Sequence, residues 1–146
     1  MFVYKDFLLF NTTIIAMDIS EREIEYLSTI KKMNDKGQPG KLTLIAREID
    51  VSPASAFEEI KHLERKGLIF KEDNNIYLTD EGKRSLTKAL RAHRVLESLL
   101  VKVGIDPDIA CGYSKEFELK VPDEIIDKLY EYLGKPNKCP HGNGIP

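Results

Sequence analysis

Residues 78–104, LTDEGKRSLTKALRAHRVLESLLVKVG, require one long helix, and every other element of this chain precedes or follows it. Thr79 supplies a capping hydroxyl, Asp80 and Glu81 place carboxylates in the first turn, and Gly104 ends the run. Leu86, Leu90, Leu96, Leu99, Leu100 and Val103 recur at three- and four-residue steps, as one buried face requires. His93 and Glu97 stand one turn apart on this helix, so both side chains can address one centre.

The segment before it is short-ranged and regular. Ser20 with Glu23 forms a capping box, and Ile24, Leu27, Ile30 and Met33 give a first helical stripe. Gln38-Pro39-Gly40 is a turn, and LTLIAREI over residues 42–49 is a short second helix. Ser52 then caps a third helix, residues 53–66, with Pro53 at its first position. Residues 68–71 and 76–78 flank Asp73-Asn74-Asn75 as a hairpin, because Asn adopts positive φ cheaply.

Three helices and a two-stranded hairpin are the order of a winged helix-turn-helix, whose third helix enters the major groove of DNA. Ala56, Ile60 and Leu63 form the inward face of that helix. Its cap, Ser52-Pro53, and Ser55, Phe57, Glu58, Glu59, Lys61 and His62 are then left toward solvent or DNA. Ser55 and His62 suit base edges or phosphates, and Phe57 suits a thymine methyl. Lys71 with Asn74 and Asn75 on the wing suits phosphates. Glu58 and Glu59 weigh against this reading, since carboxylates repel phosphate. The alternative is a winged-helix module that binds another protein and neither DNA nor metal.

At 146 residues the chain suits one or two small domains. The expected division is an apolar extension at 1–17, a DNA-binding domain at 18–88 and a helical dimerisation and metal-binding domain at 89–146. Residues 41–94 carry 11 Lys and Arg against 9 Asp and Glu, whereas 95–146 carry 6 against 9, a weak asymmetry favouring DNA contact by the first part. The extension, MFVYKDFLLFNTTIIAM, has no apolar run long enough to cross a bilayer. It is read either as material upstream of a start at Met17 or as an extra element covering apolar surface. Two cysteines, Cys111 and Cys139, are too few for a disulfide framework and fit a reducing cytoplasm. No nucleophile–base–orienter set and no glycine-rich phosphate loop argues for an enzyme.

The stretches REIDVSPASAFEEIKHLERKGLI and YLTDEGKR resemble the reading head of the diphtheria-toxin-repressor family of metal-dependent transcriptional regulators. AHRVLESLLVKVGID resembles the helix that joins this head to the dimerisation domain. VPDEIIDKLYEYLGKPNKCPHGNGIP resembles the end of that second domain. The resemblance covers residues 18–146 and implies a mainly α homodimer on a palindromic operator, with Fe(II) or Mn(II) as corepressor. Larger members continue beyond the segment matching 142–146 into a small SH3-like domain.

One metal site of that family falls on His93, Glu97 and Cys111, where a thiolate in place of imidazole shifts preference toward Zn(II) or Fe(II). Outside the resemblance, His93 with Glu97 reads as a hydrogen-bonded helix pair, and Cys111 as a small buried hydrophobe. The family's other site falls on Glu25, Lys115, Glu118 and Leu119. A charged Lys cannot ligate and Leu has no donor, so this second site is expected to be lost. Lys115 would then act as a fixed charge between Glu25 and Glu118, with Leu119 as apolar fill. Cys139-Pro140-His141 offers two ligand types at close spacing, but two ligands do not make a site, and it is read as a turn.

Overall fold

The computed structural model describes residues 19–146, so the extension at 1–17 and both its readings lie outside the described residues. In chain order the elements are α1 (Glu21–Asp35), α2 (Leu42–Ile49), α3 (Pro53–Arg65), β1 (Ile69–Glu72), β2 (Asn75–Leu78), α4 (Asp80–Lys102), α5 (Pro107–Phe117) and α6 (Asp123–Tyr132). The fold is mainly α, a winged helix-turn-helix followed by a helical domain. It divides into two compact units, Ile19–Leu90 and Arg91–Ile145, with the boundary inside α4.

In the first unit, local chemistry sets each boundary. Ser20 and Glu23 close a reciprocal capping box on α1. Ser52 Oγ accepts from the Ser55 amide, and Pro53 opens α3 without an unsatisfied N–H. Asp73 and Asn74 take φ of 49° and 62°, the left-handed pair that joins tightly twisted hairpin strands. The strands pair antiparallel from Ile69 with Leu78 to Glu72 with Asn75.

These elements close on Tyr26, Leu27, Ile30, Ile45, Ile60, Leu63, Ile69 and Leu86, all buried. Each such aliphatic side chain contributes about 1.5–3 kcal/mol on leaving water. The start of α4 is pressed against the chain before the hairpin. A Cβ on Gly82 would fall 2.0 Å from the Leu68 carbonyl oxygen, so a side chain there would force the two backbones apart. Thr79 caps α4 by accepting from the Gly82 amide at 3.0 Å and donates its hydroxyl to the Gly67 carbonyl at 2.6 Å.

The second unit has a smaller core: Ala92, Val95 and Leu96 of α4 meet Ile126 of α6, with Val121, Leu129, Tyr130, Leu133 and Ile145 around them. Asp106 caps α5, its carboxylate accepting from the amides of Asp108 and Ile109. The last residues form a tight turn held by Cys139 N–H to the Asn143 carbonyl and Ile145 N–H to the Asn137 carbonyl. Arg94 donates from α4 to the Gly144 carbonyl, fastening that turn to the helix. The expected apolar face of α4 is graded: Leu96 is buried, Leu99 and Leu100 are half-buried, and Val103 is 68% exposed. Among the described residues, no helix is long and apolar enough to cross a membrane.

Candidate metal centre and nucleic-acid face

Within the second unit, α4, α5 and the terminal turn bring donor atoms of three kinds together. His93 Nδ1 lies 2.6 Å from Glu118 Oε2, so this nitrogen carries the proton and donates it to the carboxylate. Its other nitrogen, Nε2, is left facing Cys111 Sγ at 3.5 Å and Glu97 Oε2 at 3.9 Å. A carboxylate that fixes the tautomer of a histidine from behind is the arrangement that aims a ring nitrogen at a cation.

Glu97 and Glu118 are both buried. The other Glu97 oxygen meets His141 Nδ1 of the terminal turn, while His141 Nε2 meets Asp108 Oδ1 at 3.0 Å. With a carboxylate on each nitrogen, both must donate. Asp108 first and Glu97 second accordingly hold the His141 imidazole above its ordinary pKa. Burial pushes the Cys111 thiol up, as does the Glu97 charge, against a smaller opposite pull from Lys115. Among the described residues, neither buried carboxylate is paired with Lys or Arg.

The expected residues are redistributed by this geometry. His93, Glu97 and Cys111 do share one neighbourhood. Glu118, expected in the second family site, instead turns its carboxylate to His93. Lys115 is exposed, and among the described residues it makes no ion pair, so it does not stand in for an ion against Glu118. The Glu118 carboxylate is instead buried against the His93 imidazole. Leu119 is half-buried, and Glu25 is exposed on α1. His141, read from sequence as part of a turn, sits in the turn and also on Glu97. Its partner lies 44 positions away, beyond the reach of a local spacing argument.

The first unit holds a further buried carboxylate, Glu23, together with Glu59 and His62. Here the cation is already present. Lys66 Nζ lies 2.9 and 3.1 Å from the two Glu23 oxygens, and His62 Nε2 lies 3.0 Å from one of them. Burial alone would raise the Glu23 carboxyl, but the Lys66 ammonium, the Ser20 amide and His62 together hold it below its ordinary value. Arg22 lies 3.4 Å from Glu59.

Along α3 the inward residues are Ala56, Ile60 and Leu63, as the spacing requires. Ser52, Pro53, Ser55, Phe57, Glu58 and Lys61 are exposed. His62, expected to reach DNA, is half-exposed with its ring nitrogen committed to Glu23, because a buried carboxylate needs donors. Lys71 of the wing lies 3.3 Å from Glu64 and stacks its ammonium 5.9 Å from the Phe57 ring centroid. Asn74 is exposed at the tip, whereas the Asn75 Oδ1 is buried.

Residues 79–146 match the family model described as the iron-dependent repressor metal binding and dimerisation domain. An uncharacterised helix-turn-helix transcriptional regulator of Aeropyrum pernix is 34% identical over 129 residues, 85% of this chain and 71% of that protein. The diphtheria toxin repressor of Corynebacterium diphtheriae is 27% identical over 88% of this chain, which spans 58% of that repressor's length. Among solved structures, a hypothetical protein from Sulfolobus solfataricus is similar at 52% identity and a TM-score of 0.79, covering 88% of this chain and 99% of that one.

Proposed function

The chain belongs to the iron-dependent repressor family, and from that premise we propose that it is a metal-responsive repressor binding a palindromic operator as a homodimer. The supporting observation is the donor cluster of the second unit, where buried Glu97 and Glu118 face histidines and a thiol and, among the described residues, pair with no Lys or Arg. Mixed nitrogen, sulfur and carboxylate donors fit a divalent transition metal, Fe(II), Mn(II) or Zn(II). His93 through Nε2, Glu97 and Cys111 would hold it, with His141 beside Glu97 and Glu118 orienting His93. A bound divalent ion would add positive charge beside these two buried carboxylates, whose partners among the described residues are otherwise histidines.

Dimerisation rests on surface chemistry. Val103, Ile109, Tyr113, Phe117, Ile125 and Tyr132 are all exposed in the second unit, and Tyr113 stacks on Phe117 at 6.3 Å. Exposed apolar side chains in this number beside so small a core support burial against a second copy. DNA contact rests on the exposed outer residues of α3 and on the wing.

Duplex binding should be measured at several salt concentrations on protein of known metal content, once with chelator and once with Mn(II). The expected results are a steep fall of affinity with salt and a gain with metal. Cobalt(II)-loaded protein should show a thiolate charge-transfer band that is lost in Cys111→Ser. A metal-loaded spectrum unchanged by that substitution removes Cys111 from the site. Binding to duplex with no salt dependence removes the phosphate contacts and favours the protein-interaction module suggested by Glu58 and Glu59.

A further inference from the structure

The two acidic residues that argue most against DNA binding are not equivalent. Glu59 is only 17% exposed in its side chain and is held by Arg22 at 3.4 Å. Glu58, one position earlier, is exposed, and among the described residues no hydrogen bond or ion pair involves it. It lies in the first half of α3, the part of a reading helix whose side chains meet base edges.

Three neighbouring polar groups are occupied elsewhere. The Ser52 and Ser55 hydroxyls bond each other at 2.9 Å while Ser52 caps the helix, and His62 is bound to Glu23. Arg22 and Arg65 line the same shallow hollow as Glu58 and Glu59, which puts two positive charges in the same region of the surface. That charge offsets repulsion from phosphates and lets an acid approach the groove.

An ionised carboxylate only accepts hydrogen bonds. In the major groove guanine presents acceptors at N7 and O6, thymine presents the O4 acceptor, and cytosine presents an amino donor alone. Adenine offers a donor beside an acceptor, which a carboxylate meets less well than an amide does. We propose that Glu58 is a specificity-determining residue, which selects cytosine at one position of each operator half-site. The proposal rests on the DNA-binding reading above. It turns the apparent obstacle into the source of sequence choice: an acceptor excludes guanine and thymine by repulsion as much as it selects cytosine by attraction.

The test is selection from a randomised duplex pool by the full-length protein, at low salt with Mn(II) present, for the wild type, Glu58→Gln and Glu58→Ala. The wild type should enrich one cytosine per half-site, disfavouring other bases there by roughly 10-fold or more, the size of one specific base contact. Glu58→Gln should move that position to adenine, whose N6 and N7 match an amide, and Glu58→Ala should leave it without preference. Changes spread evenly over all positions, or an unchanged cytosine preference in both variants, overturn the proposal while leaving DNA binding intact. A wild type that retains no duplex at any salt overturns the DNA-binding reading itself.

Discussion

Glu23 in the first unit and Glu97 in the second are both carboxylates buried to within a few per cent, and both meet a histidine. They differ in what completes them. Glu23 receives a lysine ammonium across both oxygens, so its charge is balanced by the chain itself. Glu97 has histidines and a thiol around it, and among the described residues no permanent cation. A buried charge with its own counter-ion is a structural joint, here tying α1 to the end of α3. A buried carboxylate whose partners are titratable histidines is where the proposed divalent ion would bind. Proximity of donors alone does not separate the two, since Glu23, Glu59 and His62 lie as close as ligands do. The ammonium does.

The largest expected effect tests the incomplete site. A divalent cation in free excess of about 1,000 Kd should stabilise the native protein by about 4 kcal/mol. Thermal or urea unfolding with Mn(II) or Zn(II) against chelator reads this directly. The gain should vanish in the His93→Ala/Glu97→Gln double variant and survive in Lys66→Ala. A gain that disappears in Lys66→Ala, or persists in the double variant, would reverse the assignment of the two carboxylates.

Somewhat smaller is the cost of opening the complete one. Lys66→Ala leaves a buried carboxylate with one histidine and the Ser20 amide. It should cost about 2–3 kcal/mol in urea unfolding, below the range for fully buried pairs because Lys66 is itself 22% exposed. By contrast, Glu97→Gln in metal-free protein should shift stability by less than about 1 kcal/mol, since its partner His141 is part-exposed and a glutamine oxygen still accepts from that imidazole. Equal losses from the two substitutions would erase the distinction between them.

What could be read from sequence divides along the same line. Helix limits, the Ser20 and Ser52 caps, the Asp73-Asn74 turn and the inward face of α3 were legible because each depends on residues within a few positions. That His93, Glu97 and Cys111 share one neighbourhood was legible through family resemblance, with two of them one helical turn apart. Three features were not. His141 reaches Glu97 from 44 positions away. His62, still half-exposed, gives one ring nitrogen to Glu23 across 39 positions. Glu118 prefers the imidazole of His93 to the ammonium three residues before it. Each depends on which long-range donor reaches a buried acceptor, and that is decided by packing rather than by spacing.

The smallest expected effect, and the finest test of the contrast, is the acid dependence of stability. The Glu23 carboxyl is held below its ordinary value of 4.5 in the folded state, although burial opposes this, because Lys66, the Ser20 amide and His62 favour its charged form. In the unfolded chain it titrates near the ordinary value, so between the two values the unfolded state binds more protons. Stability from this group is therefore complete above pH 4.5 and declines as pH falls from there through the folded value. The decline amounts to less than one proton. Removing Lys66 removes the strongest influence holding the carboxyl down and leaves burial, which pushes the other way. Unfolding midpoints between pH 3 and 6 should thus fall less steeply with acid in Lys66→Ala than in the wild type, and the contribution should be absent in Glu23→Gln. If all three proteins lose stability in parallel, Glu23 does not carry the acid response, and the lysine beside it is not the cation that completes its site.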